Sequence, residues 1–139
     1  KMSTHKDDDK TVKVIAGKFE DAEGPVKGHN VEPVYFDVEL EKEKEFNINL
    51  PSTHNSLIYL IKGKIKVGDQ DHDVVKDSTL IILNRGEKLK VFSSTRAKFL
   101  LISGKPIGEP IARGGPFVMN TKAEILQAVQ DYHNDTFVK

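Results

Sequence analysis

The sequence predicts an all-β domain, a sandwich or barrel, closed by one C-terminal α-helix. Two patterns carry this. The first hundred or so residues break into short runs of alternating apolar and polar side chains, with Gly, Pro, Asn and Asp between them. A period of two with turn residues at short intervals marks antiparallel strands, not βαβ units. Helical spacing of apolar residues occurs only after Thr121. A chain of 139 residues is long enough for one hydrophobic core.

The elements follow in order. Residues 1–10 (KMSTHKDDDK) are charged and lack apolar periodicity, which predicts a flexible arm or interdomain linker. Asp7, Asp8, Asp9 and Lys10 look like an enterokinase site one Asp short, but a linker is the preferred reading. The chain opens on Lys1, as a fragment or processed product would. VKVIAG (12–17) alternates and ends in Gly, as a first strand does. Residues 19–31, rich in Gly, Asp, Glu and Pro, predict a long loop. In 34–41 (VYFDVELE), Val34, Phe36, Val38 and Leu40 share one face and acidic residues fill most of the other. KEKE (42–45) is a charged turn, and Phe46, Ile48 and Leu50 alternate before Pro51.

SLIYLIK (56–62) is the most apolar strand, predicted to be central and covered on both faces. KIKVG (64–68) points Ile65 and Val67 inward; strands follow near Val74 and Val75 and over 79–84, 88–93 and 97–103, about nine in all. Thr121 and Glu124 form a capping box, with Ile125, Val129 and Tyr132 on one face and an end near Asn134.

Composition excludes several functions. Lys and Arg number 21, as do Asp and Glu, so no net charge draws nucleic acid or an anionic membrane. There is no Cys, hence no disulfide, thiol nucleophile or zinc–thiolate site. No apolar run is long enough to span a bilayer, and no signal peptide is visible in the polar, charged start. A cytoplasmic protein is expected, or a nuclear one in a eukaryote.

Candidate chemistry is sparse. His5, His29, His54, His72 and His133 show no His-x-His and no spacing of three or four. Metal ligands must converge on one ion, so these read as ordinary imidazoles. His54, just before the most apolar strand, is the only weak metal candidate. Asp69, Asp71 and Asp73 alternate as in a calcium loop but lack its Gly and Glu. Arg113-Gly114-Gly115-Pro116 lies too far before Thr121 for the helix dipole to meet a phosphate there, so it reads as a turn. No nucleophile elbow occurs, and no catalytic residue is assigned.

VKVIAG near the start, HNSLIYLIKGKIKVG (54–68), and GKPIGEP with GGPFVMNTKAEILQAVQDY at the end resemble the C-terminal half of pirin-type proteins, over residues 10–137. The resemblance implies a cupin, a double-stranded β-helix or jelly-roll barrel, over residues 11–139, with residues 1–10 as the junction to a first barrel. Metal-binding cupins use His-x-His, then Glu, then a later His. The matching positions here are Asn49 to Thr53 with Ser56, and Leu89, so no metal is expected in this chain. An iron-type metal is expected in the N-terminal cupin. For the intact protein, the resemblance implies a metal-dependent quercetin 2,3-dioxygenase-type enzyme or a protein-binding redox and transcription cofactor. Expected partners are the N-terminal cupin half, a second copy of the chain or another protein, with no nucleic acid and no membrane. Phe117, Met119, Ile125, Val129 and Tyr132 are the expected contact residues, the alternative being that they form this domain's own core.

Overall fold

The computed structural model describes residues 2–27, 30–68 and 74–138. The chain forms two compact units, Lys1–Pro106 and Ile107–Lys139. In the first, the strands are β1 (Ser3–Lys6), β2 (Lys10–Ala16), β3 (Lys18–Phe19), β4 (Ala22–Glu23), β5 (Val34–Leu40) and β6 (Glu45–Asn49). They continue with β7 (Asn55–Lys62), β8 (Lys64–Val67), β9 (Val75–Lys76), β10 (Thr79–Ile82), β11 (Lys88–Ser93) and β12 (Ala97–Gly104). One sheet has the order β1-β2-β5-β12-β7-β10 and the other β6-β11-β8-β9, and every strand pairing within them is antiparallel.

The core lies on the inward face of both sheets. Val12, Val14, Phe36, Val38, Leu40, Ile58, Leu60, Phe99 and Leu101 come from the first sheet, and Phe46, Ile65, Leu89 and Val91 from the second. Alternation decides this: in β5 only Phe36, Val38 and Leu40 are buried. Phe46 meets Phe99 edge-on at 5.6 Å and stacks on Phe19 at 5.3 Å. Each such ring stabilises the fold by about 1.5–3 kcal/mol through burial.

Three expectations are corrected. The stretch read as a flexible arm contains β1, whose Ser3–Lys6 pair with Val14–Thr11 of β2. Asp7 turns the chain between them by accepting from the N–H groups of Asp9 and Lys10, both at 2.8 Å. The stretch read as one long loop contains the β3–β4 hairpin, which buries Phe19 and Ala22 in the core. Its polar neighbours hid these two apolar anchors. Third, β7 is covered on one face only, with Ile58 and Leu60 buried and Tyr59 and Ile61 exposed. An apolar run does not reveal whether its second face is covered.

That second face is divided by chemistry. Around β7 and the edge strand β10 it is apolar, with Tyr59 opposite Leu80, and Ile82 80% exposed. Along β5 and β12 it is charged. Lys98 Nζ donates to Glu39 Oε1 at 3.1 Å and lies 3.4 Å from Asp37 Oδ2, while Arg96 lies 3.4 Å from Glu39 and 3.3 Å from Glu41. The hydrogen bond from Lys98 holds the Glu39 carboxyl below the usual range.

In the second unit, β13 (Ala112–Gly114) and β14 (Phe117–Met119) form a hairpin followed by α1 (Lys122–His133). Thr121 caps α1: its hydroxyl accepts from the Glu124 N–H at 3.2 Å, and the Glu124 carboxylate accepts from the Thr121 N–H at 2.7 Å. Asn134 ends the helix, as its spacing predicts. A Cβ on Gly114 would stand 2.4 Å from Ile125 Cγ2, so the hairpin and α1 touch through a residue without a side chain. Among the described residues, no helix is long and apolar enough to cross a membrane.

Candidate functional site

Two of the barrel's clefts differ in character. The smaller, about 160 Å³, lies where residues 50–56 approach residues 83–90. The Leu50 N–H donates to Glu87 O at 2.9 Å and joins the two stretches. These are the stretches that would carry a cupin's metal ligands. The cleft wall is made instead by Leu50, Val67, Leu83 and Leu89, with Ser56, Asn84, Lys88 and Lys90 as polar members. Leu50 and Leu89 are buried in the core cluster. Alkyl side chains offer no lone pair, so this donor set does not fit a divalent or iron-type ion. Among the described residues, no three His, Cys, Asp or Glu side chains gather as a metal site.

The larger cleft, about 490 Å³, is bordered by the end of β2, the β3–β4 hairpin, the start of β5 and the β6–β7 turn. The pairing of β2 with β5 slips between Val14 and Ala16, and Gly17 then turns at φ +84°. Only a residue without Cβ takes that turn without strain. His54 enters the cleft from the β6–β7 turn, where its N–H donates to Pro51 O at 3.0 Å. The residue is 4% exposed. Its Nδ1 lies 3.2 Å from Ser103 Oγ, which lies 2.8 Å from Ser56 Oγ. Ser56 and Ser103 face one another across β7 and β12. His54 Nε2 has no hydrogen-bond partner and stands 3.7 Å from Glu32 Oε2. Glu32 adopts φ +45°, an uncommon backbone state for a residue with a side chain. A chain of hydroxyls thus joins the small cleft, which Ser56 lines, to the large one, which His54 lines.

His54 was visible in the sequence, but its partners were not. Ser103 lies 49 residues on, and Glu32 sits in what reads as a featureless loop. The only local signal is a serine at matching positions of two strands, and register must be known before it can be used.

The other candidates stay apart. His5 bonds Asp21 at 2.8 Å and Asp7 at 3.3 Å and lies against the Phe19 ring; the Asp21 carboxylate raises its pKa above the usual value. His133 is exposed at the end of α1. His29, His72, Asp69, Asp71 and Asp73 lie outside the described residues. Arg113 and Gly114 end β13, and Gly115 turns at φ +55° into β14, a hairpin. Of the expected contact residues, Phe117 packs on Tyr132 at 6.0 Å and on Phe137 at 5.1 Å, and Ile125 meets Gly114. Met119 and Val129 are half-buried, and Tyr132 remains 64% exposed.

With this geometry in hand, the chain was compared with known proteins. The family model of the pirin C-terminal cupin domain matches residues 35–138. The chain belongs to that family. It is 38% identical over 128 residues to a pirin-like protein of Caulobacter vibrioides, covering 91% of this chain and 45% of the relative. It is 41% identical over 101 residues to a pirin-like protein of Solanum lycopersicum, covering 71% and 35%. A crystal structure of a quercetin 2,3-dioxygenase from Acinetobacter baumannii superposes with a TM-score of 0.81 at 32% identity, covering 95% of this chain and 45% of that one. The pirin C-terminal barrel described here thus spans less than half the length of these relatives. The all-β cupin fold with one helix, inferred from the sequence, is the fold observed.

Proposed function

We propose that this pirin C-terminal cupin is a supporting barrel that binds no metal and packs against a second cupin barrel, the N-terminal half of a two-barrel protein. The observation that carries this reading is the apolar second face around β7 and β10. Tyr59, Ile61, Leu80, Ile82 and Ile102 are all more than a third exposed and crowd three neighbouring strands. A soluble barrel gains nothing from such a patch unless another surface covers it. The charged half of the same face gives the covering surface an edge to register against.

The leucine-walled small cleft supports the metal-free part of the reading. The intact protein's chemistry, a dioxygenation of the kind named for the Acinetobacter relative, then belongs to the other barrel, where an iron-type centre is expected. The role of this chain is to hold that barrel in shape. The expected contacts of Phe117, Met119, Ile125, Val129 and Tyr132 join this proposal as a second contact area.

Sedimentation velocity of the chain alone tests the packing. An uncovered apolar face should pair with a second copy, giving concentration-dependent self-association. Leu80→Lys with Ile82→Lys, both at exposed positions, should abolish it and leave the circular dichroism unchanged. Identical sedimentation of the two proteins at every concentration would overturn the proposal.

A further inference from the structure

Independently of any partner barrel, we infer that the cleft beside His54 binds a small neutral molecule with an apolar body and one hydroxyl group. Its volume, about 490 Å³, is that of a small-molecule pocket. Val26, Pro33, Val34 and Pro51 line it with carbon, which takes up an apolar body. Gly24 completes the wall. A Cβ there would stand 2.6 Å from the Ile15 carbonyl, so the chain can pass only as glycine.

Two polar groups select the hydroxyl. His54 lines the cleft, and its Nε2 is buried and unpaired, where an unmet hydrogen bond is costly. Glu32 Oε2, 3.7 Å away, is too far for a direct bond. One oxygen seated to the side of that line can reach both at about 2.7–2.9 Å. A carboxylate only accepts, so with the ring proton on Nε2 the seated atom donates to Glu32 and accepts from Nε2–H. A hydroxyl does both with one atom.

The rim discourages ions. Lys18 and Lys27 are balanced by Glu23 and Glu32, and Lys27 Nζ is held 2.9 Å from Glu23. The hydroxyl also sets the hydrogens behind it. With the ring proton on Nε2, Nδ1 accepts from Ser103, and Ser103 accepts from Ser56. Binding in the large cleft therefore orients a hydroxyl that lines the small one.

Phenol titrated into the isotope-labelled chain tests this, with anisole, benzylamine and benzoate as controls. Nuclear magnetic resonance follows the Gly17, Gly24 and Val26 amides and both ring nitrogens of His54. Saturable shifts with phenol are expected, with the controls at least about tenfold weaker and the ring nitrogens reporting the Nε2–H tautomer. Glu32→Gln, at an exposed side chain that tolerates the change, should weaken phenol about tenfold. Absence of saturable shifts, equal binding of anisole or benzylamine, or indifference to Glu32→Gln would each overturn the inference.

Discussion

The His54 cleft and the leucine-lined cleft differ in their surroundings. The small one lies in the stretches to which the family resemblance assigns a cupin's metal ligands, and Leu50 and Leu89 of the core cluster line it. The large one lies beside the barrel, and there a buried imidazole nitrogen is left without a partner. The difference teaches that a fold's customary site can be closed by ordinary core residues while chemical demand arises elsewhere. A shared architecture does not carry shared chemistry; the side chains at the site decide.

Substitutions in the shared core and in the polar network should differ in effect, and the largest is expected in the core. Phe46 is fully buried between Phe19 and Phe99, so Phe46→Ala should cost about 3–5 kcal/mol of stability in urea unfolding. A cost below about 1 kcal/mol would mean the barrel interior is looser than described. On the polar side, Ser103→Ala removes the hydroxyl between His54 and Ser56 and leaves Nδ1 unpaired in a buried setting. It should cost about 1–3 kcal/mol. The His54 ring nitrogens should also shift, which a purely steric effect would not produce.

Much of this contrast was legible in advance, and particular residues show where it stopped being so. Alternation exposed Phe36, Val38 and Leu40 because a half-covered antiparallel strand writes its burial directly into its sequence. The capping box at Thr121 and Glu124 was readable because its whole geometry fits in four residues. Leu89 stood out once the family pattern was laid on the chain, and it lines the small cleft. Phe19 was not legible as core, since a two-residue strand has no period to detect. Tyr59 and Ile61 looked buried because an apolar run reads the same with one covered face or two. Ser103 and Glu32 could not be assigned to His54, because only the register of β7 and β12 and the turn at Glu32 bring them near it.

Two smaller effects lie away from both clefts and give the scale for what counts as local. Thr121→Ala removes the cap of α1 and should cost the second unit about 1 kcal/mol, measured as faster amide exchange in the first helical turn. Loss spread evenly through the barrel would contradict the division into two units. The smallest effect concerns pH. Asp21 raises the pKa of His5, so the folded state holds that proton more tightly than the unfolded chain. Its stabilisation is complete below the unfolded value of about 6.5 and is lost as pH rises through the raised folded value. Urea unfolding across that window should show a small decline that Asp21→Asn reduces, Asp7 remaining beside the ring, and that is modest because the pair is at the surface.

The measurement that bears most directly on the contrast is the metal content of the purified chain. Elemental analysis would follow exposure to iron, nickel, copper and manganese and then desalting. A small cleft walled by Leu50 and Leu89 predicts near-zero occupancy by all four. Close to one tightly held ion per chain would contradict the account and make this barrel a catalytic candidate in its own right.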